Sequence, residues 1–340
     1  MPGRAITSLF AFVVAIVGMF GSAAAQAVRI GVDPWIPWAP TWVAQEKGMW
    51  RRHGLDVEVV GFTGSDTSAA FRAGKIDFAM VMAGTAVGLK LDGVDVVVLG
   101  EIDWSHGGDK MVARKGKKLA DLKGQRIGIY EDSPAVWMFL AAKLKADGLH
   151  AKDFEVVVVE EMEALASQFS AGRLACAVSY EPYVEQAMAT GGCEVIATTA
   201  DFPGVMPEVL VAQRTTLAKL KPEQVVALWR GWIDAVEWSK DEKNAAEFAR
   251  ICCAKAFFDE KVEPKEIPAM LANVRIHGRD ELRARNLGGA TTGIAKFLDE
   301  CLTFAVAHAG KGGKPSVASM LDTSALQQAL GGAVPTAPAK

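Results

Sequence analysis

Several features are scarce in this chain, and each shortage removes a class of function. Cysteine is one: five residues in 340, with no C-x-x-C pair and no histidine-rich stretch among five histidines, so the sequence encodes no zinc or cluster site. Basic excess is another. Lys and Arg total 37 against 40 Asp and Glu, a formal charge of −3, which leaves no basic stripe for nucleic acid. Ser-His-Asp, Cys-His and HExxH arrangements are missing, so no hydrolytic machinery is written in local motifs. Beyond residue 20, no apolar run approaches the ~20 residues needed to cross a bilayer.

The apolar run that does exist lies at the start. Arg4 precedes "LFAFVVAIVGMF" (9–20), and "GSAAAQA" follows with small residues. This reads as a secretory signal peptide over residues 1–25, cut after Ala25 or Ala27. A membrane anchor is the alternative, but the apolar core is short for it. The mature protein is therefore expected to be exported to the periplasm. An oxidising compartment permits a disulfide, and Cys176 with Cys193 is the best-placed pair, although an odd count leaves at least one thiol free. Residues 331–340, "GGAVPTAPAK", read as a disordered tail.

What the chain does have is an internal repeat. "FRAGKIDFAMVMAGTAV" (71–87) returns 98 positions later as "FSAGRLACAVSYEPYV" (169–184). Upstream, "VRIGVDPW" (28–35) pairs with "QRIGIYEDSP" (125–134), and "LDVEVVGF" with "FEVVVVEE". Helical patterns closed by glycine lie between. Each half reads β-α-β-α-β, which implies two α/β lobes, each with a mixed sheet and flanking helices. Ligands of open α/β sheets bind outside the carboxyl ends of strands. Two such lobes facing each other make a clamshell with one cleft. Expected boundaries are 28–112 with 208–325 for the first lobe and 113–207 for the second, the chain crossing at 110–116 and 207–213.

"GVDPWIPWAPTWVAQEKGMWRRHGLDVEVV", "AGKIDFAMV", "DLKGQRIGI", "SYEPYVEQAMATGG" and "TADFPGVMPEVLVAQ" resemble the periplasmic solute-binding proteins of ABC importers in the nitrate, sulfonate, taurine and thiamine-pyrimidine group, the NMT1/THI5-like family. The resemblance covers about residues 28 to 310. It implies a type II binding-protein fold, a small-molecule ligand, a partner permease in the inner membrane, no cofactor or metal, no catalysis and a monomer.

Loops after the expected strands supply the candidate pocket: Asp33, Trp35 and Trp38; Ser65 at a helix start; Thr85; Asp103 and Trp104; Glu131, Asp132 and Ser133; Glu181 and Tyr183; and Asp201 near the second crossing. Trp42 and Trp50 read as core. The loops hold many carboxylates, several aromatics and almost no arginine or lysine. That balance suits a small amine, amidine or aminopyrimidine through charge pairing and cation–π attraction, with Glu181 the first choice of partner. An oxyanion such as taurine, an alkanesulfonate or nitrate is the alternative, held at helix N-termini. The rival class is an enzyme resembling the thiamine-pyrimidine synthase of the same fold group, of which "ICCAKAF" is the only echo; an exported sensor domain is a third.

Overall fold

The computed structural model describes residues 27–63, 66–181, 183–189, 191–259, 261–289, 293–309, 313 and 315–331. The expected signal peptide, Ser65 and all but the first residue of the expected tail lie outside the described residues.

Eleven strands are described: β1 (Val28–Val32), β2 (Val57–Gly61), β3 (Phe78–Met82), β4 (Val96–Ser105), β5 (Asp109–Arg114), β6 (Arg126–Ile129), β7 (Glu155–Val158), β8 (Cys176–Tyr180), β9 (Cys193–Thr198), β10 (Pro207–Gln213) and β11 (Val274–Ile276). They form two sheets, ordered β11-β4-β10-β3-β1-β2 and β7-β6-β8-β5-β9. The repeat is visible atom by atom. β1 pairs in parallel with β2 and β3, as β6 does with β7 and β8. Phe71 and Phe169 are both fully buried, as are Ile76 and Leu174, and Ala79 and Ala177. Gly74 and Gly172 end their helices with φ of 67° and 74°, a left-handed turn that favours glycine. The side chain after each turn packs over a second glycine: a Cβ on Gly31 would meet Ile76 at 2.4 Å, and one on Gly128 would meet Leu174 at 2.6 Å.

Each sheet takes an antiparallel strand between its third and last repeat strands, and the first adds β11 antiparallel to β4 at its edge. In the first the inserted strand is β10, between β3 and β4; in the second it is β5, between β8 and β9. The chain therefore changes sheets twice. The first change occupies Ser105–Asp109, ahead of the expected 110–116, because Asp109–Arg114 is already hydrogen-bonded into the second sheet. The second lies between Thr198 and Pro207. Thr199 Oγ1 ties the two together: it bonds Ser105 Oγ at 2.8 Å and accepts from Gly107 N–H at 2.8 Å.

β5 also settles the cysteines. Ala113 pairs with Cys176 on one side and Arg114 with Cys193 on the other. Two strand spacings, about 10 Å, exceed the reach of a disulfide, and both thiols are free.

The C-terminal half adds mainly helices. Pro222–Lys240, with Trp229 and Trp232 buried, packs on the first sheet's core. Trp50 lies in the same core and donates to Leu228 O at 2.9 Å; it fits there because Gly231 has no Cβ, which would stand 2.1 Å from its ring. Trp42 packs partly buried against this core.

The lobes touch. Helix Ala83–Leu91 begins at the end of β3, and helix Pro134–Ala146 begins just after β6. A Cβ on Gly84 would stand 2.2 Å from Ala135 N, so these two helix starts meet at the bare glycine backbone. Outward from there, Trp137 of the second lobe packs on His308 of the first, ring centroids 4.3 Å apart.

Candidate functional site

The strand ends of both sheets converge on a buried, acid-rich wall. From the first sheet come Asp33 (after β1), Asp103 (in β4) and Glu208 (in β10); from the second come Asp109 (opening β5) and Glu131 (after β6). Asp103, Asp109 and Glu208 are buried. Among the described residues, no arginine, lysine or histidine closes an ion pair with any of the five. Their donors are neutral instead. Thr67 Oγ1 donates to Asp33, Trp35 Nε1 to Glu208 at 2.9 Å, Tyr130 OH to Asp109 at 2.7 Å and Thr85 Oγ1 to Glu131 at 3.3 Å.

Loss of water without a compensating cation raises a carboxyl pKa. Burial pushes Asp33 up to about 7, with Glu131 and Asp66 adding repulsion against the Thr67 hydrogen bond. Glu131 rises to about 7 for the same reason, with Glu160 and Asp109 as neighbouring charges. Asp103 is also raised to about 7, chiefly by burial. Asp109 moves up by burial, partly offset by Ser105 and Tyr130. Glu208 lies well above the usual carboxylate range, from burial first and then from Asp103 beside it. At neutral pH the wall is thus only partly ionised, a set of carboxyls held short of their charge by the lack of a partner.

Aromatic rings fill the space between. The chain has three tyrosines, and all three meet here edge to face: Tyr130 on Tyr180 at 5.2 Å and Tyr180 on Tyr183 at 5.7 Å. Trp35 reaches across from the first lobe to Tyr180, centroids 6.4 Å apart, and packs over Gly108, where a Cβ would be 2.9 Å from its ring.

Of the residues singled out in the sequence, Asp33, Trp35, Trp38, Thr85, Asp103, Glu131 and Ser133 come together. Trp38 is buried with its indole N–H toward Asp103, and it joins the core as well. Ser133 caps helix Pro134–Ala146 and stands 3.3 Å from the Thr85 hydroxyl.

The others go elsewhere. Glu181 is 43 % exposed, bound to Lys110 Nζ at 2.5 Å and to the Glu185 N–H; its charge is already matched. Tyr183 packs edge to face on Tyr180 and lies partly buried against the core cluster of Val184 and Ala187. Trp104 packs against His277 and under the Arg285 guanidinium, because neighbouring strand residues face opposite ways. Asp132 accepts from Trp137 Nε1 at 2.7 Å in an outer groove of about 240 Å³ shared with Asp92, Phe304 and His308. Asp201 caps its own turn at Thr198. Glu208, Asp109 and Tyr130 join the wall from outside the candidate set. One signal for Glu208 was available: an acid inside the otherwise apolar "PEVLVAQ".

Glu101, one residue pair away in β4, shows what a balanced buried acid looks like here. It holds a bidentate Arg285 at 2.7 and 2.9 Å and His277 at 2.8 Å. The chain can supply cations to buried acids, yet among the described residues none pairs with a wall carboxyl; Lys110, whose charge is felt by Asp109, is itself paired with Glu181. Among the described residues no group of three His, Cys, Asp or Glu could hold a metal ion.

Residues 21–253 match the NMT1-like family. The chain belongs to the NMT1-like family. A curated relative in Brucella abortus (strain 2308), provisionally named a binding protein, is 27 % identical over 286 residues, 82 % of this chain and 85 % of that one. The fold matches solved structures at lower identity. The ligand-binding component of an ABC-type import system from Staphylococcus aureus, with zinc bound, superimposes with a TM-score of 0.68 at 16 % identity, over 89 % of this chain and 99 % of that one. The alkanesulfonate-binding protein of Xanthomonas axonopodis pv. citri, bound to MOPS, gives 0.68 at 16 % over 87 % and 97 %. The periplasmic nitrate-binding protein of Synechocystis PCC 6803 gives 0.66 at 16 % over 89 % and 88 %. This NMT1-like chain thus has the two-lobed periplasmic-binding-protein fold. Among its described residues, no helix is long and apolar enough to cross a membrane.

Proposed function

We propose that this protein is an exported solute-binding component of an ABC-type importer, working in the periplasm, capturing a small amine, amidine or aminopyrimidine between its lobes and passing it to a permease. The boundaries proposed for the lobes follow the sheets: the second runs from Asp109 to about Thr198, and the first takes the rest. Binding without catalysis is the reading that fits relatives described as binding proteins. Cys252 and Cys253, the one echo of the synthase, sit on a helical turn against the first lobe's core and not at the wall.

The carrying observation is the set of five wall carboxyls drawn from both lobes, none of them ion-paired with a cation among the described residues. A ligand bringing positive N–H groups would let them ionise and would form charge-assisted hydrogen bonds, with tryptophan and tyrosine rings adding cation–π attraction. An oxyanion is favoured by one feature, the meeting of two helix N-termini at Gly84 and Ala135. That place already has the Glu131 carboxyl bonded to Thr85 in the first turn, which opposes a second negative charge.

A thermal-shift screen separates the two. Amines, guanidine, amidines and aminopyrimidines form one arm; taurine, alkanesulfonates and nitrate form the other. A ligand at a hundred times its Kd adds about 2.7 kcal/mol, and each kcal/mol moves Tm by roughly 2–4 °C. A rise on that scale is expected in the cationic arm alone. Stabilisation by an oxyanion with no response to any amine would refute the charge assignment.

A further inference from the structure

The wall is a row. In the first sheet Asp33 follows β1 and Asp103 lies in β4, with β3 and β10 between them; three strand spacings put the two backbones about 14 Å apart. In the second sheet Glu131 follows β6 and Asp109 opens β5, with β8 between them, a span of about 10 Å. In the first sheet Asp33 stands at one end and the paired Glu208 and Asp103 at the other, with Met82 at the end of β3 between them; in the second, Tyr180 ends β8 between Glu131 and Asp109. Across the cleft the ends match. Asp33 and Glu131 feel each other's charge, while Asp109 and Asp103 both act on Glu208. At the far end the Asp103 carboxyl is buried against Glu208 and the Trp38 indole N–H, with no cation paired to it among the described residues.

We propose that the cleft takes an elongated dication, with two amino or amidino heads joined by an apolar spacer, one head held by Asp33 and Glu131 and the other by Asp109, Glu208 and Asp103. This rests on the cationic reading above and adds to it a length and a valence. A single small cation leaves one end of the row unmatched. A spacer over Met82, Tyr180 and Tyr130 places methylene or ring carbon against apolar and aromatic surface, where it belongs.

The test is calorimetry with α,ω-diaminoalkanes, from diaminoethane to diaminodecane, beside the monoamine of each carbon count. Affinity should peak between diaminohexane and diaminooctane, whose heads lie about one sheet-span (~10 Å) apart, at about tenfold or more over the matched monoamine, a gain of ~1.4 kcal/mol. Asp33→Asn and, separately, Asp103→Asn should each remove the peak and leave the diamine no better than the monoamine, with melting temperature maintained. If monoamines bind as well as diamines at every length, or if affinity climbs steadily with chain length in both series, the dication is overturned while a cationic site stands. If no amine binds and an oxyanion does, the cationic reading falls with it.

Discussion

Glu208→Gln should weaken capture of an amine or amidine by about 2–5 kcal/mol, the scale for truncating one partner of a buried charge pair, while raising the melting temperature of the free protein. On the proposed reading Glu208 serves a ligand and not the fold, so the two effects have opposite signs. Glutamine keeps an oxygen for the Trp35 N–H, so geometry survives. The stability gain follows from the raised pKa of Glu208. Its ordinary value is 4.5; between there and the folded value the native state holds a proton that the unfolded chain has released. Folded stability conferred by the wild-type carboxyl therefore falls as pH rises through that window, and glutamine removes the loss. Near neutral pH the variant should melt a few degrees higher, with the difference vanishing below the ordinary carboxyl range. Thermal melts and calorimetry on the same preparation check both signs. A variant that loses stability and keeps its affinity would make Glu208 a structural residue.

Gly84→Ala should block closure. The added methyl would stand 2.2 Å from Ala135 N and 2.7 Å from its Cβ, so backbone of one lobe meets side chain of the other and neither can turn aside. The free protein can relieve the clash by opening, since the two lobes are joined by two short crossings. Stability should change little, and affinity should fall by about tenfold or more, since a closed state populated less often lowers apparent affinity in proportion. Gly88→Ala is the control, with Pro134 no nearer than 3.9 Å. Small-angle scattering with the best-binding amine should show compaction in the wild type and in Gly88→Ala but not in Gly84→Ala. Equal compaction and affinity in all three would mean that the lobes do not close on this contact.

The architecture was legible because it is repeated. Glycine at 74 and 172, the apolar residue two positions later and the glycine it covers at 31 and 128 are local signals, and each has its counterpart 97 or 98 residues on. The site was legible only as far as strand ends go. Asp33, Trp35 and Glu131 follow strands directly and land where the fold puts such residues. Glu181 follows a strand too, but Lys110 lies on the paired strand β5, opposite Ser179, and cross-strand neighbours are not visible until register is known. Glu101 lies on the same strand as Asp103, and only the fold shows that Arg285, 184 residues away, already holds its charge. Glu208 escaped notice because its neighbours in sequence are apolar, and only the pairing of β10 with β4 sets it opposite Asp103.

Proton release on binding tests the central claim most directly. Asp33, Asp103 and Glu131 sit near 7 at the wall. At about pH 6 each is mostly protonated, and a cation favours the ionised form, so its arrival must expel protons. Titrating the best amine from the screen by calorimetry at that pH, in two buffers of different ionisation enthalpy, counts them. At least one proton should leave per ligand bound, with the release fading and the affinity levelling off as pH rises past about 7. Proton uptake, or no exchange at all across that range, would contradict a cation bound at these carboxyls.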